Sequence, residues 1–103
     1  MPSVVVGDVA LDPATRTVVK NNAVIDLTTV EFDLLHMLLS TAGRVVSRED
    51  ISQQVLGRPF DPFDRSIDVH IGKVRRKLGG PSDGDERIKT VRGVGYIYAQ
   101  PRH

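Results

Sequence analysis

The chain has 103 residues, 40% of them hydrophobic and 26% charged, which suffices for one small globular domain with a modest core and argues against disorder. The sequence has no cysteine and no apolar run near the ~20 residues of a membrane span, and its first residues lack the basic and apolar segments of a signal peptide. We therefore expect a cytoplasmic protein without disulfide or thiolate chemistry. The formal net charge of +1 hides an asymmetry: residues 1–64 hold five Lys/Arg against nine Asp/Glu, and residues 65–103 hold nine against four, so the second part favours polyanions.

The first third of the chain predicts short strands. Residues 4–12 and 16–27 are rich in Val and Ile, which favour strands, and are interrupted by turn-forming residues. Because Asn tolerates a positive φ, Asn21-Asn22 predicts a two-residue hairpin turn. Together these features predict three or four strands of a small antiparallel sheet.

A helix is predicted next. Thr28 and Glu31 have the spacing of a capping box, in which hydroxyl and carboxylate each satisfy a free backbone N–H. The helix is predicted to run to about Thr41, with Gly43 as the left-handed residue that ends it, and residues 45–46 then form a short extended piece. It is apolar on most sides, which predicts that it is the buried central helix. Its apolar residues are Val30, Phe32, Leu34, Leu35, Met37, Leu38 and Leu39.

A second helix is predicted over residues 48–56. Ser47 caps it with Asp50 in the box position, and Ile51 and Val55, four residues apart, form its buried stripe. The sequence places no Gly-x-Ser-x-Gly elbow around Ser47, so this serine predicts a helix cap and not a nucleophile.

The loop after this helix reads "GRPFDPFD" and holds two prolines and two phenylalanines. Loops usually expose polar atoms, so Phe60 and Phe63 either pin the loop to the core or offer a contact to another protein. We expect them to pin the loop, and we keep the protein contact as the alternative.

The third predicted helix covers residues 64–78 and ends at Gly79-Gly80, before a turn-forming loop at 81–86. On a helical wheel its aliphatic residues fall within about 60° of each other and predict the core face. These residues are Ile67, Ile71, Val74 and Leu78. Arg75 and Asp68 lie together at one border, where they pair either with each other or with a neighbouring element.

The opposite side of this helix is cationic, with one small apolar residue and one glycine near its centre. It carries Arg65, Val69, Gly72, Lys73 and Arg76, flanked by Ser66, His70 and Lys77. Such a mixture suits a helix in the DNA major groove, where Lys and Arg neutralise phosphates or bind guanine and Val contacts a thymine methyl. A solvated charged face is the alternative for an isolated helix.

Two neighbouring features favour DNA. Helix 48–56, a turn and residues 65–78 form a helix-turn-helix whose last helix has the recognition position. A hairpin is then predicted from strands at Ile88–Val91 and Tyr96–Ala99, joined by the glycine-bearing turn 92–95. Its Lys89, Thr90 and Arg92 form a wing for the backbone or the minor groove. The fold class is therefore α+β, with a helix-turn-helix core and an appended β-wing.

Four stretches carry a family resemblance that covers nearly the whole chain: "LTTVEFDLLHMLL", "GRVVSREDI", "DRSIDVHIGKVRRKL" and "IKTVRGVGYIY". In this order and spacing they resemble the winged-helix effector domain of OmpR/PhoB-type response regulators, and "QQVLGRPFDPFDRSIDVHI" resembles the CpxR-like envelope-stress subgroup. The resemblance implies an N-terminal four-stranded antiparallel sheet, three helices and a C-terminal hairpin.

The resemblance also implies a function. The chain would be the output domain of a two-component regulator, binding tandem half-sites of double-stranded promoter DNA, dimeric on DNA and monomeric in isolation. We expect residues 1–103 to be this single domain, with the upstream phosphoreceiver domain absent from the chain. Further partners implied are the cognate receiver domain, a sensor kinase and RNA polymerase.

Roles for individual residues follow from the resemblance. Val69 and Lys73 resemble base-contacting positions, and Arg65 and His70 resemble phosphate-contacting positions. The exposed helix side adds three expected phosphate contacts, Ser66, Arg76 and Lys77. The expected wing contacts are Lys89, Thr90, Arg92 and Gly93. The loop 57–63 resembles the segment that contacts RNA polymerase, through Arg58, Phe60 and Asp61.

Two residues depart from the family pattern. Gly72 stands where many members carry a polar or basic residue, which removes one anchoring contact. Lys73 stands where arginine is common, and lysine does not make the fork-shaped bidentate contact of arginine, so the base preference is left open.

Other functions are less well supported by the sequence. A winged helix used for protein contact, through the 57–63 loop and the basic helix, is the main alternative. RNA binding lacks an aromatic stacking platform. His36, His70 and His103 are far apart and lack clustered carboxylates, so we expect no metal, no cofactor and no active site.

Overall fold

The computed structural model describes residues 3–79 and 87–99, so the predicted turn-forming loop at 81–86 lies outside the described residues. A four-stranded sheet precedes a helical unit, and a three-stranded sheet completes the domain. In chain order the elements are β1 (Val4–Val6), β2 (Val9–Asp12), β3 (Thr17–Lys20), β4 (Ala23–Ile25), α1 (Thr29–Ser40), β5 (Val45–Ser47), α2 (Arg48–Ile51), a π-helical segment (Ser52–Leu56), α3 (Ser66–Leu78), β6 (Ile88–Val91) and β7 (Gly95–Tyr98).

The N-terminal sheet is antiparallel with the order β1-β2-β3-β4, as the resemblance implied. Asn21 and Asn22 have φ values of 50° and 67°, which confirms the predicted hairpin turn between β3 and β4. Alternate residues on the inner face of the sheet, among them Val9, Leu11 and Val18, are buried against the helices.

Helix α1 begins at the predicted capping box, and both of its hydrogen bonds are present. The Glu31 N–H donates to Thr28 Oγ1 at 3.2 Å, and the Thr28 N–H donates to Glu31 Oε1 at 3.0 Å. Gly43 is left-handed with φ 85°, two residues beyond the C-cap Thr41. As predicted, α1 is the central helix, and its buried apolar residues are Phe32, Leu34, Leu35, Leu38 and Leu39.

The second helix differs from the single α-helix predicted over 48–56. Only Arg48–Ile51 is α-helical, and Ser52–Leu56 continues as a π-helix. The Gly57 N–H donates to the Ser52 carbonyl five residues back, which closes a wider turn, and Gly57 has φ 72°. The predicted cap is present, because the Asp50 N–H donates to Ser47 Oγ at 3.1 Å.

Helix α3 begins at Ser66, two residues later than predicted. The Asp64 carboxylate accepts the Ser66 N–H at 2.9 Å and the Ser66 hydroxyl at 2.6 Å, so Asp64 caps the helix from outside it. These two hydrogen bonds, from the hydroxyl first, hold the pKa of Asp64 below its ordinary value. Arg65 is the N-cap residue and makes no side-chain capping bond, so Asp64, one position earlier, supplies the oxygen that accepts the first helical N–H.

The wing is a three-stranded sheet and not a simple hairpin. β6 and β7 pair as predicted, except that β7 begins at Gly95 and not at Tyr96, and β5 pairs with the other side of β7. The two backbones approach closely at Gly95. A Cβ atom there would collide with the Val46 carbonyl oxygen and lie 2.9 Å from the Ser47 Cα, so only glycine fits. The wing is thereby joined to the strand that leads into α2.

The two phenylalanines of the 57–63 loop behave differently. Phe60 is partly buried against the hydrophobic core, which confirms the prediction that it pins the loop. Phe63 is 91% exposed, so the same prediction was wrong for this residue. Among the described residues, no helix is long and apolar enough to cross a membrane.

Candidate nucleic-acid interface

The two faces of α3 separate as predicted. The aliphatic stripe of Ile67, Ile71, Val74 and Leu78 is between 0% and 4% exposed. On the other side, Arg65, Lys73 and Arg76 are exposed, and none of their side chains makes a hydrogen bond or ion pair with another residue of 3–79 or 87–99. Within the described ranges, these three charges are therefore unpaired and available to an external ligand.

The centre of the cationic face is shallow. Val69 is half-exposed, and a Cβ atom built at Gly72 would meet only the flexible end of Arg76, at 3.7 Å. A glycine at this position therefore leaves the helix surface open to close approach, while it contributes no contact of its own. An alanine methyl group would therefore fit at Gly72 without any change of the backbone.

Ser66 and His70, which flank this face, each have a polar group turned towards the protein. The Ser66 hydroxyl donates to Asp64 and accepts from Arg58 Nη2 at 3.2 Å. The Nδ1 atom of His70 is buried and has no hydrogen-bond partner among the described residues. A phosphate contact by His70 would therefore use its Nε2 atom, whereas one by Ser66 would need its N–H or its hydroxyl to turn away from Asp64, which accepts from both.

Lys77 is occupied by an internal ion pair. Its Nζ donates to Glu31 Oε1 at 2.6 Å, and the Glu31 side chain is 2% exposed. Burial raises the pKa of Glu31, but hydrogen bonds from Lys77 and from the Thr28 N–H outweigh it, so the pKa lies below its ordinary value. The Lys77 ammonium therefore neutralises a buried carboxylate of α1, and no local sequence pattern indicates this pairing.

The wing presents its predicted residues beside α3. Lys89 and Thr90 of β6 are exposed, and Arg92 and Gly93 lie in the turn, with Gly93 at φ 76°. Arg75 of α3 donates to Thr90 Oγ1 at 3.0 Å. Since the Thr90 oxygen accepts this bond, its own proton remains free to donate to a phosphate.

Arg75 and Asp68 pair with neighbouring elements and not with each other, which resolves the two predicted alternatives. Arg75 Nε and Nη2 donate to the Ile88 carbonyl at 3.1 and 2.8 Å. Asp68 accepts from the Tyr96 hydroxyl of β7 and from Arg48 of α2. Both residues thus join α3 to the rest of the domain.

In the loop 57–63, the three residues predicted to contact RNA polymerase make contacts within the protein. Arg58 Nη2 lies 2.5 Å from Asp64 Oδ2, Phe60 packs on the core, and Asp61 Oδ1 accepts the Phe63 N–H at 3.0 Å. Phe63 is the side chain that projects. The sequence around Phe63 is rich in proline and turn-forming residues, which favours an exposed side chain. This signal could have predicted its exposure.

Three comparisons identify relatives of the chain. The family model described as "Transcriptional regulatory protein, C terminal" matches residues 21–98. The chain is 44% identical over 96 residues to the transcriptional regulatory protein CpxR of Escherichia coli strain K12, an alignment that covers 93% of this chain and 41% of that protein. The chain therefore spans about two fifths of the length of this curated relative.

Solved structures share the fold. The crystal structure of the DNA-binding domain of CpxR from E. coli matches with a TM-score of 0.93 at 41% identity, over 97% of this chain and 98% of that one. The Klebsiella pneumoniae RstA DNA-binding domain, solved in complex with the RstA box, matches with a TM-score of 0.87 at 34% identity, over 96% of this chain and 98% of that one. These matches confirm the predicted winged-helix fold and the family resemblance.

Proposed function

Because the chain belongs to the OmpR/PhoB-type family of C-terminal domains of transcriptional regulatory proteins, we propose that it binds specific double-stranded promoter DNA and thereby controls transcription. Helix α3 would enter the major groove, and the wing would contact the adjacent minor groove or backbone. An RstA domain of this fold was solved in complex with its DNA box, which supports the proposal.

One observation carries the proposal from this chain's own residues. The exposed face of α3 and the residue just before it present three cations without partners in the described part of the chain, namely Arg65, Lys73 and Arg76. They surround a half-exposed valine and an open glycine and lie directly beside the wing, a second cationic element. Unpaired cations on an exposed helix favour a polyanion, and the small residues at the centre permit close approach to base edges.

We assign the contacts in three groups. Val69 and Lys73 contact bases, because they lie at the centre of the exposed face. Arg65 and Arg76, with His70 through Nε2, contact phosphates at its border. Lys89, Thr90, Arg92 and Gly93 form the wing contacts. Lys77 is removed from the predicted phosphate contacts, because its ammonium is already paired with Glu31.

The test is a selection of bound duplexes from a random pool, followed by fluorescence-anisotropy titration of the selected and a scrambled duplex at several salt concentrations. We expect the selected duplex to contain two tandem half-sites and to bind with an affinity that falls steeply with salt. Affinity that is independent of ionic strength, or equal for every duplex, would refute DNA-specific binding.

We propose the loop 57–63 as a contact to RNA polymerase, now centred on Phe63. A phenylalanine that is 91% exposed, in a loop fixed by the Arg58–Asp64 ion pair, is a preformed apolar anchor for another protein. Phe63→Ser should leave DNA affinity unchanged and lower transcription from the target promoter in a purified polymerase assay. Equal transcription by variant and parent protein would exclude this contact.

The same loop is the basis of the alternative function, a module for protein contact alone. Amide chemical shifts discriminate between the two functions. Changes at 65–77 and 89–95 on addition of the selected duplex support DNA binding, whereas changes confined to 57–63 on addition of a protein partner, with none caused by DNA, would support the alternative.

The longer protein is also part of the proposal. We propose that the domain works together with a phosphoreceiver domain and a sensor kinase, that it pairs on tandem DNA sites, and that it is monomeric alone. Sedimentation of the domain with and without the selected duplex tests the pairing, with two copies per duplex as the expected result.

A further inference from the structure

Three side chains from three different elements meet between α3 and the wing. The Tyr96 hydroxyl of β7 donates to Asp68 Oδ1 of α3. Arg48, the first residue of α2, donates to the same Oδ1 and to the Tyr96 hydroxyl oxygen, both at 3.4 Å. Its guanidinium carbon also lies 4.9 Å from the centre of the Tyr96 ring. We call Arg48, Asp68 and Tyr96 the bridging cluster.

Two members of the bridging cluster are largely withdrawn from water, while the Asp68 side chain is 38% exposed. Tyr96 is 3% exposed, and the Arg48 side chain is 21% exposed. Burial, together with the hydrogen bond to Asp68, raises the pKa of Tyr96, so the phenol keeps the proton that it donates. Hydrogen bonds to a charged acceptor in a site of restricted water access are stronger than neutral surface bonds.

The wing tip is tied to the same point. The Arg48 N–H donates to the Val94 carbonyl at 3.1 Å, and Val94 lies in the turn that carries Arg92. Arg48 therefore holds the turn through its backbone and the strand beneath it through its side chain. On the other strand of the wing, Arg75 fixes Ile88 and Thr90.

We propose that the bridging cluster sets the position of the wing tip relative to α3, so that the helix and Arg92 can contact DNA at the same time. Its members are positioning residues and make no DNA contact themselves. This inference rests on the proposed function and deepens it, because it assigns the coupling between the two contact elements to Arg48, Asp68 and Tyr96.

The physical reason is pre-organisation. Two contact elements on one rigid body bind DNA as a bivalent ligand, and the second contact is gained only if the geometry allows both at once. A wing held in place before binding loses little conformational freedom on binding. Loss of one fixing hydrogen bond should therefore cost affinity without the removal of any charge.

The test uses Tyr96→Phe, which keeps the buried ring and its contact with Arg48 and removes only the hydroxyl. On the selected duplex we expect about a fivefold loss of affinity, equivalent to one net hydrogen bond. We also expect a shallower dependence of log affinity on log salt, by up to about 0.9 per protein copy, the value for complete loss of the Arg92 phosphate contact. A neutral substitution that only lowers stability does not change this slope.

Two further variants complete the experiment. Tyr98→Phe removes the other buried tyrosine hydroxyl of β7 and is the matched control, which should keep the parent slope. In an Arg92→Ala background, Tyr96→Phe should change affinity less than twofold, because the contact that it positions is already gone. Circular dichroism checks that every variant is folded.

The outcomes separate the inference from the proposed function. In the free protein, amide hydrogen exchange at Val94 and Arg48, whose N–H groups make the hydrogen bonds of the wing tip, should be faster in Tyr96→Phe than in Tyr98→Phe or the parent. Equal exchange, an unchanged salt slope, or losses that multiply in the double variant would each overturn the role of the cluster. Faster exchange in a protein that prefers no duplex would instead refute specific DNA binding and leave the fixing of the wing intact.

Discussion

The contrast between Arg65 and Lys77 gives the sharpest prediction of the interface. Both are cations of the α3 region, but Arg65 has no partner among the described residues, whereas Lys77 is paired with the buried Glu31. We therefore expect Arg65→Ala to remove one phosphate contact and Lys77→Gln to remove none. A count of charges along the sequence predicts the same loss for both variants.

The magnitude follows from the number of available cations. Lys73 is left out of the count because it is proposed to contact bases. Four other exposed cations are available at α3 and the wing: Arg65, Arg76, Lys89 and Arg92. With a slope of about −0.9 per phosphate, log affinity should change with log salt by about −3.6 per domain, or about a 150-fold loss between 50 and 200 mM salt. Arg65→Ala should reduce that slope to about −2.7 and that loss to about 40-fold, equally for all duplexes.

The assay is an anisotropy titration of each variant at four or more salt concentrations, with Arg44→Ala as the matched control. Arg44 is exposed and precedes β5 at the end far from the wing tip, so its loss changes net charge without touching the proposed interface. Lys77→Gln should keep the parent slope. It should lower the unfolding free energy, because the buried Glu31 carboxylate loses its partner, and the partial exposure of Lys77 limits this loss to about 1–2 kcal/mol. A slope for Lys77→Gln as shallow as that of Arg65→Ala would refute the assignment of these two roles.

Three further predictions concern sequence preference and stability. Lys73→Ala should relax the preference between selected and mutated duplexes by about 1–3 kcal/mol, measured by competition binding, and an unchanged preference would argue against base contact. Gly95→Ala should lower the unfolding free energy by more than about 3 kcal/mol in denaturant titrations, because its Cβ collides with the Val46 carbonyl; a loss below 1 kcal/mol would show that β5 can move aside. Asp8→Asn should cost about 2 kcal/mol at pH 7, since Arg87 donates to both carboxylate oxygens and its hydrogen bonds hold the pKa of Asp8 below its usual range. This contribution is present above the ordinary pKa of 3.8 and is lost as the pH falls through the lowered value, so parent and variant should converge in unfolding titrations at a pH below the lowered pKa.

The parts of the fold that depend on local sequence were predicted well. The Asn21-Asn22 turn and the Thr28–Glu31 capping box are decided by residues within four positions of each other, and both have the predicted geometry. The pairing of β5 with β7 was missed, because it joins residues about fifty positions apart and three residues give no period. The π-helical segment was missed for a related reason: its wider turn depends on where Gly57 and the following loop lie.

The features of the candidate interface also divide into those set by local sequence and those set by distant residues. The separation of α3 into an aliphatic and a cationic face follows from helical periodicity alone, and it was predicted residue by residue. The partners of Lys77, Arg75 and Asp68 come from α1, the wing and α2, and no pattern within α3 could identify them. Sequence periodicity therefore fixes which way a side chain points, while tertiary contact decides whether its charge is available.

The distinction between available and internally paired charges changes how the charge asymmetry between residues 1–64 and 65–103 is interpreted. Residues 65–103 hold nine Lys/Arg, and a linear count would offer all of them to DNA. Three of those in the described ranges are used inside the protein, because Arg75 fixes the wing, Lys77 neutralises Glu31, and Arg87 binds Asp8. What remains is a smaller set arranged on two adjacent elements, and its members are Arg65, Lys73, Arg76, Lys89 and Arg92. Arg75 fixes α3 to the wing, and Lys77 fixes α3 to α1. In the proposed function, the external cations reach two grooves together because this arrangement is fixed.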